Sequence, residues 1–582
     1  MKNQQRAARE LEQIRKLLPK LKRQAAETKS SKQWHIEAII RQKIRQLKTY
    51  PLEGAKYNEA LDGYIRLLET VSRRILDYYN QTKRTNYSFE EIITGNRDAY
   101  ISSGIISVLV TRHIPKLVAE QFKRLLPVNP KDEYPRARQM KRKFYLHLGE
   151  TNTGKTYDAL QRLKQAKNGI YLAPLRILAL ENFERLNSEG VGCNLLTGEE
   201  EIIVPGASHT SCTVEKADLR TPYDVAVIDE IQLMSDYFRG HAWTRAVLGL
   251  LAGEIHVCGA SNAKEHIIKI INDCGDEYEY REYTRNTPLE VINNKIKLGD
   301  ILPGDALIAF SRKDVLALSR HFAMKGIKNS VIYGDLPPEV RRLQYSAFLS
   351  GESKILISTD AIGMGVNLPI RRIIFTALEK FDGNVFRTLT PQEIKQIAGR
   401  AGRKGIYDTG YAGSTGDDWL VIENGLNVPD EDLDYAVVGP SEAILDIGML
   451  PLKEKLAVWS TSVEVMDYYR KRDNRDAVFI LDKLSPFKIP DTVQWRLMEL
   501  PFDVHNEDLM EQFLIYADEV FNMKNSFLSK PSPPFHALGD YELYYQKINL
   551  YYSFSKALNL DLDTDWVYNT RKKVTEEIND ML

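Results

Sequence analysis

Cysteine is scarce in this chain. Cys193, Cys212, Cys258 and Cys274 are its only four, far apart and without a C-x-x-C pair. That spacing excludes a disulfide framework and a cysteine zinc site, and it sets the expectation of reduced thiols in a cytoplasmic protein. No run of about 18 apolar residues occurs, so neither a membrane span nor a membrane partner is expected. The first residues lack an apolar signal core, and Glu10 and Glu12 run against the acid-poor pattern of an organellar transit peptide. His241 and His256 have no metal-ligand partners at a useful spacing, which leaves them core or surface roles. Net charge is missing too, since 79 Lys and Arg face 79 Asp and Glu. The balance is uneven along the chain: residues 1–50 hold 14 bases against 4 acids, whereas residues 411–450 hold nine acids and no base. Two readings of the basic arm stand, a contact to nucleic-acid phosphates and a solvated charged helix.

At 582 residues several domains are expected. Residues 1–140 read as helical, with long periodic stretches such as Tyr57 to Tyr79, and Pro127, Pro130 and Pro135 mark a linker. Short β-branched runs then alternate with helical segments. Phe144–Leu148, Ile170–Ala173, Val225–Ile228 and Ile255–Val257 form a first set of candidate strands. Ala306–Phe310, Ser330–Tyr333, Lys354–Ser358 and Arg372–Thr376 form a second. Strands alternating with helices predict parallel sheets covered on both faces. The spacing predicts two α/β domains, 141–286 and 287–435, with a break near Thr287-Pro288. Helical domains at 1–140 and 436–582 flank them.

Gly149-Glu150-Thr151-Asn152-Thr153-Gly154-Lys155-Thr156 fits G-x-x-x-x-G-K-[ST], directly after an apolar run and before a helix-like segment. In that setting the loop's backbone N–H groups are expected to cradle the phosphates of a nucleoside triphosphate, with Lys155 reaching the β- and γ-phosphates and the Thr156 hydroxyl ligating Mg²⁺. Downstream, Asp224-Val225-Ala226-Val227-Ile228-Asp229-Glu230 is an apolar strand ending in two acids. Asp229 suits the metal, and Glu230 suits the base that orients and deprotonates water. In Gln396-Ile397-Ala398-Gly399-Arg400-Ala401-Gly402-Arg403, two arginines three apart share a helical face among small residues. Such guanidinium groups stabilise the charge that develops on a transferring phosphoryl group. The pair lies in the second α/β unit, so the nucleotide is expected between two domains.

This ordered set, with DEIQ at 229–232 and Ser358-Thr359-Asp360-Ala361-Ile362-Gly363-Met364-Gly365, resembles superfamily two helicases. The closer resemblance is to the suppressor-of-Var RNA helicases of the mitochondrial degradosome, a family with bacterial relatives. Ser211-Cys212-Thr213-Val214-Glu215, Ala309-Phe310-Ser311-Arg312, Tyr333-Gly334-Asp335 and Lys380-Phe381-Asp382-Gly383 carry it as well. It is strong over roughly 141–405 and faint in the C-terminal part. The resemblance implies two tandem RecA-like P-loop domains, places Gln396 at the nucleotide, and has Asp360 with Gly363 contact the nucleotide or link it to the strand. It also brings Gln232 into an interdomain network, moves the enzyme 3′ to 5′ on single-stranded or partly duplex RNA, and makes an exoribonuclease a possible partner. DNA unwinding, protein-stripping translocation and an ATP-gated nucleic-acid-binding scaffold are the alternatives.

The polymer path is expected on loops at the C-terminal ends of strands, where open α/β sheets bind ligands. In the first domain these are Pro174, Arg176, Thr197, Gly198 and Thr213. In the second they are Ser311, Arg312, Tyr333, Gly334 and Thr359. Asp382-Gly383 between apolar flanks predicts a hairpin. By resemblance its Phe381 or Phe386 wedges into a duplex and stacks on a base; the competing reading is a hairpin that only packs on helices.

Overall fold

The computed structural model describes residues 2–50, 54–285, 287–363, 368–381, 385–403, 405–534 and 536–582. The chain separates into two compact units. One comprises Met1–Leu125 with Asp446–Leu450 and is helical, with long helices at Lys2–Glu27, Trp34–Lys48 and Ala55–Lys83. Its core gathers the apolar face that sequence periodicity predicts, including Ile40, Ile44, Tyr64, Leu68 and Val71. Glu37 is buried there, accepting from the Ser72 hydroxyl at 2.7 Å and from the Ile105 amide at 3.1 Å. Those two donors replace the water that burial removes.

The second unit, Leu126–Leu445 with Pro451–Leu582, holds two large sheets and two two-stranded ones among its described residues. The first has eight strands: β1 (Lys143–Gly149), β2 (Gly169–Ala173), β3 (Cys193–Leu196), β4 (Glu201–Ile202), β5 (His209–Thr213), β6 (Tyr223–Ile228), β7 (Ala252–Gly259) and β8 (Glu277–Tyr283). Their order is β4-β3-β5-β2-β6-β7-β1-β8, and every pairing except β3–β4 is parallel. The second sheet contains β9 (Leu289–Val291), β10 (Asp305–Ile308), β11 (Asn329–Ile332), β12 (Ile355–Ser358) and β13 (Arg372–Phe375). A separate antiparallel hairpin pairs β14 (Glu379–Phe381) with β15 (Phe386–Thr388), before β16 (Gly410–Ser414) returns to the second sheet. That sheet runs β11-β12-β10-β13-β16-β9, all parallel.

Continuous apolar runs form the sheet centres because helices cover both faces. Val225, Ala226, Val227 and Ile228 are all fully buried, as are Ile373, Ile374 and Phe375. Sequence reading missed the short strands β3, β4, β9, Ala436–Val438 and Tyr469–Lys471, and also three longer ones that are polar or glycine-rich. β5 reads His-Thr-Ser-Cys-Thr, β8 alternates Glu and Tyr along an exposed edge, and β16 reads Gly-Tyr-Ala-Gly-Ser. Beyond the sheets, helices such as Glu507–Phe521, Leu538–Leu558 and Thr564–Met581 pack into the C-terminal part. A short parallel pair, β17 (Ala436–Val438) and β18 (Tyr469–Lys471), joins the core of the first sheet.

Candidate functional site

β1 delivers the chain to Gly149, whose φ of 154° and close approach to β8 both require glycine. A Cβ there would fall 1.9 Å from the Tyr283 carbonyl oxygen. The loop Glu150–Gly154 then turns through Asn152 at φ 60°, and the helix Lys155–Lys164 begins. This is the strand–loop–helix arrangement that aims backbone N–H groups at an anion. The Thr153 hydroxyl donates to the Glu150 carbonyl at 3.1 Å, closing the loop on itself. The Lys155 ammonium donates to the Gly149 carbonyl at 2.8 Å and also to that of Glu150. Burial lowers the Lys155 pKa; Glu230 and Asp229 pull it up, and Arg400 pushes it further down. An arginine of the second lobe is therefore felt electrostatically at the loop lysine of the first.

β6 ends at the acids. The Asp229 carboxylate accepts from the Thr156 hydroxyl at 3.0 Å and from the Tyr171 hydroxyl at 3.0 Å. The Trp243 indole N–H holds the Asp229 carbonyl at 2.8 Å. Burial, followed by the adjacent Glu230 charge, pushes the Asp229 pKa up to about 6 against those two hydroxyl donors. Two carboxylates beside a hydroxyl, with their charges in conflict, form a hard-oxygen set that a divalent cation relieves. Thr156 and Asp229 therefore fit Mg²⁺. Glu230 sits at φ 52° and accepts from the Gln232 amide at 2.5 Å, while the Gln232 carbonyl accepts from Ala260 N–H at 3.0 Å. Gln232 thus bonds within the first lobe, fixing the Glu230 rotamer, and not across the lobes as expected.

The second lobe presents the helix Pro391–Ala398 and the turn after it. Its arginines do not lie on a helical face. The helix stops at Ala398, and Arg400 N–H and Ala401 N–H bond back to Ile397 and Ala398, tightening the chain into i→i−3 turns. That turn is docked on the P-loop. The Asn152 amide donates to the Gly402 carbonyl at 2.6 Å, and a Cβ on Gly399 would fall 1.8 Å from Thr151 Oγ1. Arg285, which sequence reading missed, donates to the carbonyls of Gly399 at 2.8 Å and of Ala401, while its own N–H reaches the Glu150 carboxylate at 2.7 Å. Nothing in its sequence neighbourhood marks it. Arg400 donates to the Gly363 carbonyl at 2.6 Å, Gln396 packs beneath Gly363, and Arg403 is half-buried on the same turn. Asp360 accepts from Lys380 at 3.0 Å. Met364 and Gly365 lie outside the described residues, as do Asp382, Gly383 and Asn384 at the hairpin tip.

The expected polymer contacts divide sharply. Arg176 is not an available cation, because it pairs with Glu199 at 2.6 Å, Glu200 at 3.2 Å and Glu339 at 2.7 Å, beside the Tyr545 hydroxyl at 3.2 Å. Arg312 pairs with Glu542 at 2.8 Å, and buried Tyr333 donates to the same carboxylate at 2.5 Å. These three side chains face carboxylates instead of a phosphate backbone. Thr197 is buried on the Glu200 carbonyl, and Gly198 lies against Pro501. The Pro174 carbonyl accepts from Arg239 at 2.7 Å, and that of Gly334 accepts from Arg341. Ser311 caps the helix Arg312–Met324, Thr359 is buried under the amide of Ala361, and Thr213 is half-buried at the end of β5. Phe381 and Phe386 remain 53% and 76% exposed, their rings 5.3 Å apart.

Two family models match this architecture. Residues 130–283 match the DEXQ-box helicase domain of Suv3, and residues 293–405 match the helicase conserved C-terminal domain. The human mitochondrial ATP-dependent RNA helicase SUPV3L1 is 46% identical over 286 residues, covering 47% of this chain and 36% of that protein. The rice mitochondrial ATP-dependent RNA helicase SUV3L is 36% identical over 442 residues, covering 70% and 58%. The Arabidopsis mitochondrial DExH-box ATP-dependent RNA helicase DExH18 is 42% identical over 352 residues, covering 58% and 43%. The chain thus spans between about a third and three fifths of the length of these relatives. Their mitochondrial names overturn the cytoplasmic expectation. Cys193, Cys212, Cys258 and Cys274 form no disulfide.

Proposed function

We propose that this chain, which matches the DEXQ-box helicase domain of Suv3 followed by the helicase conserved C-terminal domain, hydrolyses ATP to move 3′ to 5′ along one RNA strand and open duplexes. The observation that carries the proposal is the seating of the 399–403 turn of one lobe on Thr151 and Asn152 of the other. A pocket assembled from two lobes makes turnover depend on their closure.

In this reading residues 149–156 hold the phosphates, and Lys155 neutralises the β- and γ-oxygens. Thr156 and Asp229 hold Mg²⁺, which supplies charge neutralisation on the phosphate oxygens. Glu230, oriented by Gln232, takes the proton of the attacking water. Arg400, with Arg403 and Gln396 beside it, stabilises the charge that builds on the γ-phosphoryl group. Arg285 holds the carbonyls of that turn against the loop. Phe381 and Phe386 form the exposed tip that parts strands by stacking. The helical parts at 1–140 and 436–582 flank the two catalytic domains, and an exoribonuclease is the partner class implied for the released strand.

The test compares steady-state ATP turnover without polymer, with single-stranded RNA and with single-stranded DNA, then unwinding of 3′- and 5′-tailed duplexes. Stimulation by RNA together with opening of the 3′-tailed RNA duplex is expected. Equal or greater stimulation by DNA removes the RNA assignment. Turnover without any strand separation removes the helicase assignment.

A further inference from the structure

The hairpin β14–β15 has three residues in each strand, too few for a two-stranded ribbon to hold its own orientation in water. Its base is pinned by buried Leu378 and Leu389, which leave the direction of the tip to the polar side chains above them. Those side chains form one connected set. Arg387 makes a two-pronged pair with Glu393, at 2.9 Å and 3.0 Å. Lys380, on the facing strand, reaches Glu393 at 2.7 Å and Asp360 at 3.0 Å.

Glu393 occupies the third position of the helix Pro391–Ala398. There it also accepts from Thr390 N–H at 2.8 Å, completing a capping box. Burial alone would raise its pKa, yet Arg387, Lys380 and the Thr390 amide bring it down to about 2. The far end of the same helix runs into Arg400, which holds the carbonyl of Gly363 at 2.6 Å. Gly363 ends the turn Asp360–Gly363 that begins at the Lys380 partner. The contacts therefore close a circuit: hairpin to helix start, helix to arginine turn, arginine turn to Gly363, and Asp360 back to the hairpin. The hairpin and the arginine turn sit at the two ends of one stiff strut about 12 Å long.

We propose that Lys380, Arg387 and Glu393 are a coupling clasp that carries displacement of the arginine turn to the hairpin, so that ATP turnover is converted into strand separation. This rests on the reading of Phe381 and Phe386 as the strand-parting tip. The clasp residues are positioning residues and touch neither ATP nor the reacting water. A partly buried network of two cations and two carboxylates holds direction better than a single exposed pair, because Lys380 and Glu393 at its centre each pair with two opposite charges.

The test measures RNA-stimulated ATP turnover and unwinding of a 3′-tailed RNA duplex for Lys380→Met, Glu393→Gln, Lys380→Arg and Phe386→Ala. Glutamine keeps the capping box, so Glu393→Gln removes charge without unravelling the helix start. For Lys380→Met and Glu393→Gln, turnover is expected within about twofold of wild type while duplexes opened per ATP fall about tenfold. Lys380→Arg, which keeps the cation, is expected to restore the wild-type ratio. Wild-type coupling in both charge-removing variants, while Phe386→Ala unwinds poorly, overturns the clasp and leaves the hairpin reading intact. Wild-type unwinding by Phe386→Ala overturns the hairpin reading itself. Parallel loss of turnover and unwinding in Lys380→Met, with an unchanged melting curve, also overturns the clasp, since the network would then serve catalysis.

Discussion

At position 399 one methyl group decides whether the pocket can close. Glycine lets the turn approach Thr151 so nearly that an added Cβ would sit 1.8 Å from its Oγ1 and 2.5 Å from the Lys395 carbonyl. Gly399→Ala must push the arginine turn away from the loop or distort the helix end. A displacement of about 1 Å at a reacting centre costs on the order of a hundredfold in rate. RNA-stimulated turnover of Gly399→Ala is therefore expected to fall about a hundredfold with little change in thermal melting. Adding Thr151→Ala, which deletes the clashing hydroxyl, recovers part of the loss. Wild-type turnover in Gly399→Ala would mean that the turn is not held against the loop during hydrolysis. The Asp229–Glu230 pair follows the same residue-scale logic: two acids are tolerated side by side because Thr156, Tyr171 and the Glu230 amide all donate to the buried one.

Among the elements, β1 carries more than apolar bulk. His147 bonds to the Tyr283 hydroxyl on β8 and to His256 on β7, each at 2.8 Å, and His256 continues to Glu254 at 2.7 Å. Tyr283 in turn bonds Asp158 on the helix that follows the P-loop, at 2.8 Å. This ladder staples the strand that carries the loop to both neighbours. Burial, then the adjacent His256, depresses the His147 pKa from 6.5 to about 4, with Asp158 opposing. A depressed histidine refuses in the fold a proton that the unfolded chain accepts, so stability is lost as pH falls from about 6.5 towards 4. The loss from this group is on the order of 1 kcal/mol by about pH 5.5. Melting temperatures of wild type and His147→Gln, compared at pH 7.5 and 5.5, should show the shallower decline in the variant; equal slopes would remove His147 from the pH response. Legibility in the sequence followed physical signal strength. Apolar β-branched runs such as 225–228 and 372–376 announced central strands, and the P-loop announced itself through its fixed glycines and lysine. Polar β5, charged edge strand β8 and glycine-rich β16 announced nothing, because pairing with neighbours makes them strands and not their own residues. Arg176 misled for a related reason: its partners Glu339 and Tyr545 lie far along the chain, so no local pattern showed that its charge was already matched.

Across the second unit, the same Arg176 ties three parts together. Its carboxylate partners come from both lobes, Glu199 and Glu200 from the first and Glu339 from the second, and Tyr545 adds the helix Leu538–Leu558. Asn549 and Arg571 also reach Glu199, through its carboxylate and carbonyl respectively. A second set of contacts between the lobes lies at the nucleotide cleft, where Asn152 and Arg285 hold the arginine turn. The two lobes are thus tied together at a C-terminal bracket and again at the proposed nucleotide pocket. The most direct measurement is single-turnover ATP hydrolysis by Arg400→Ala under saturating RNA, with nucleotide affinity measured in parallel by equilibrium fluorescence. A guanidinium that acts on the transition state predicts hydrolysis lowered about a thousandfold with affinity changed only about threefold. Hydrolysis by Arg400→Ala at the wild-type rate would contradict a pocket built from two lobes.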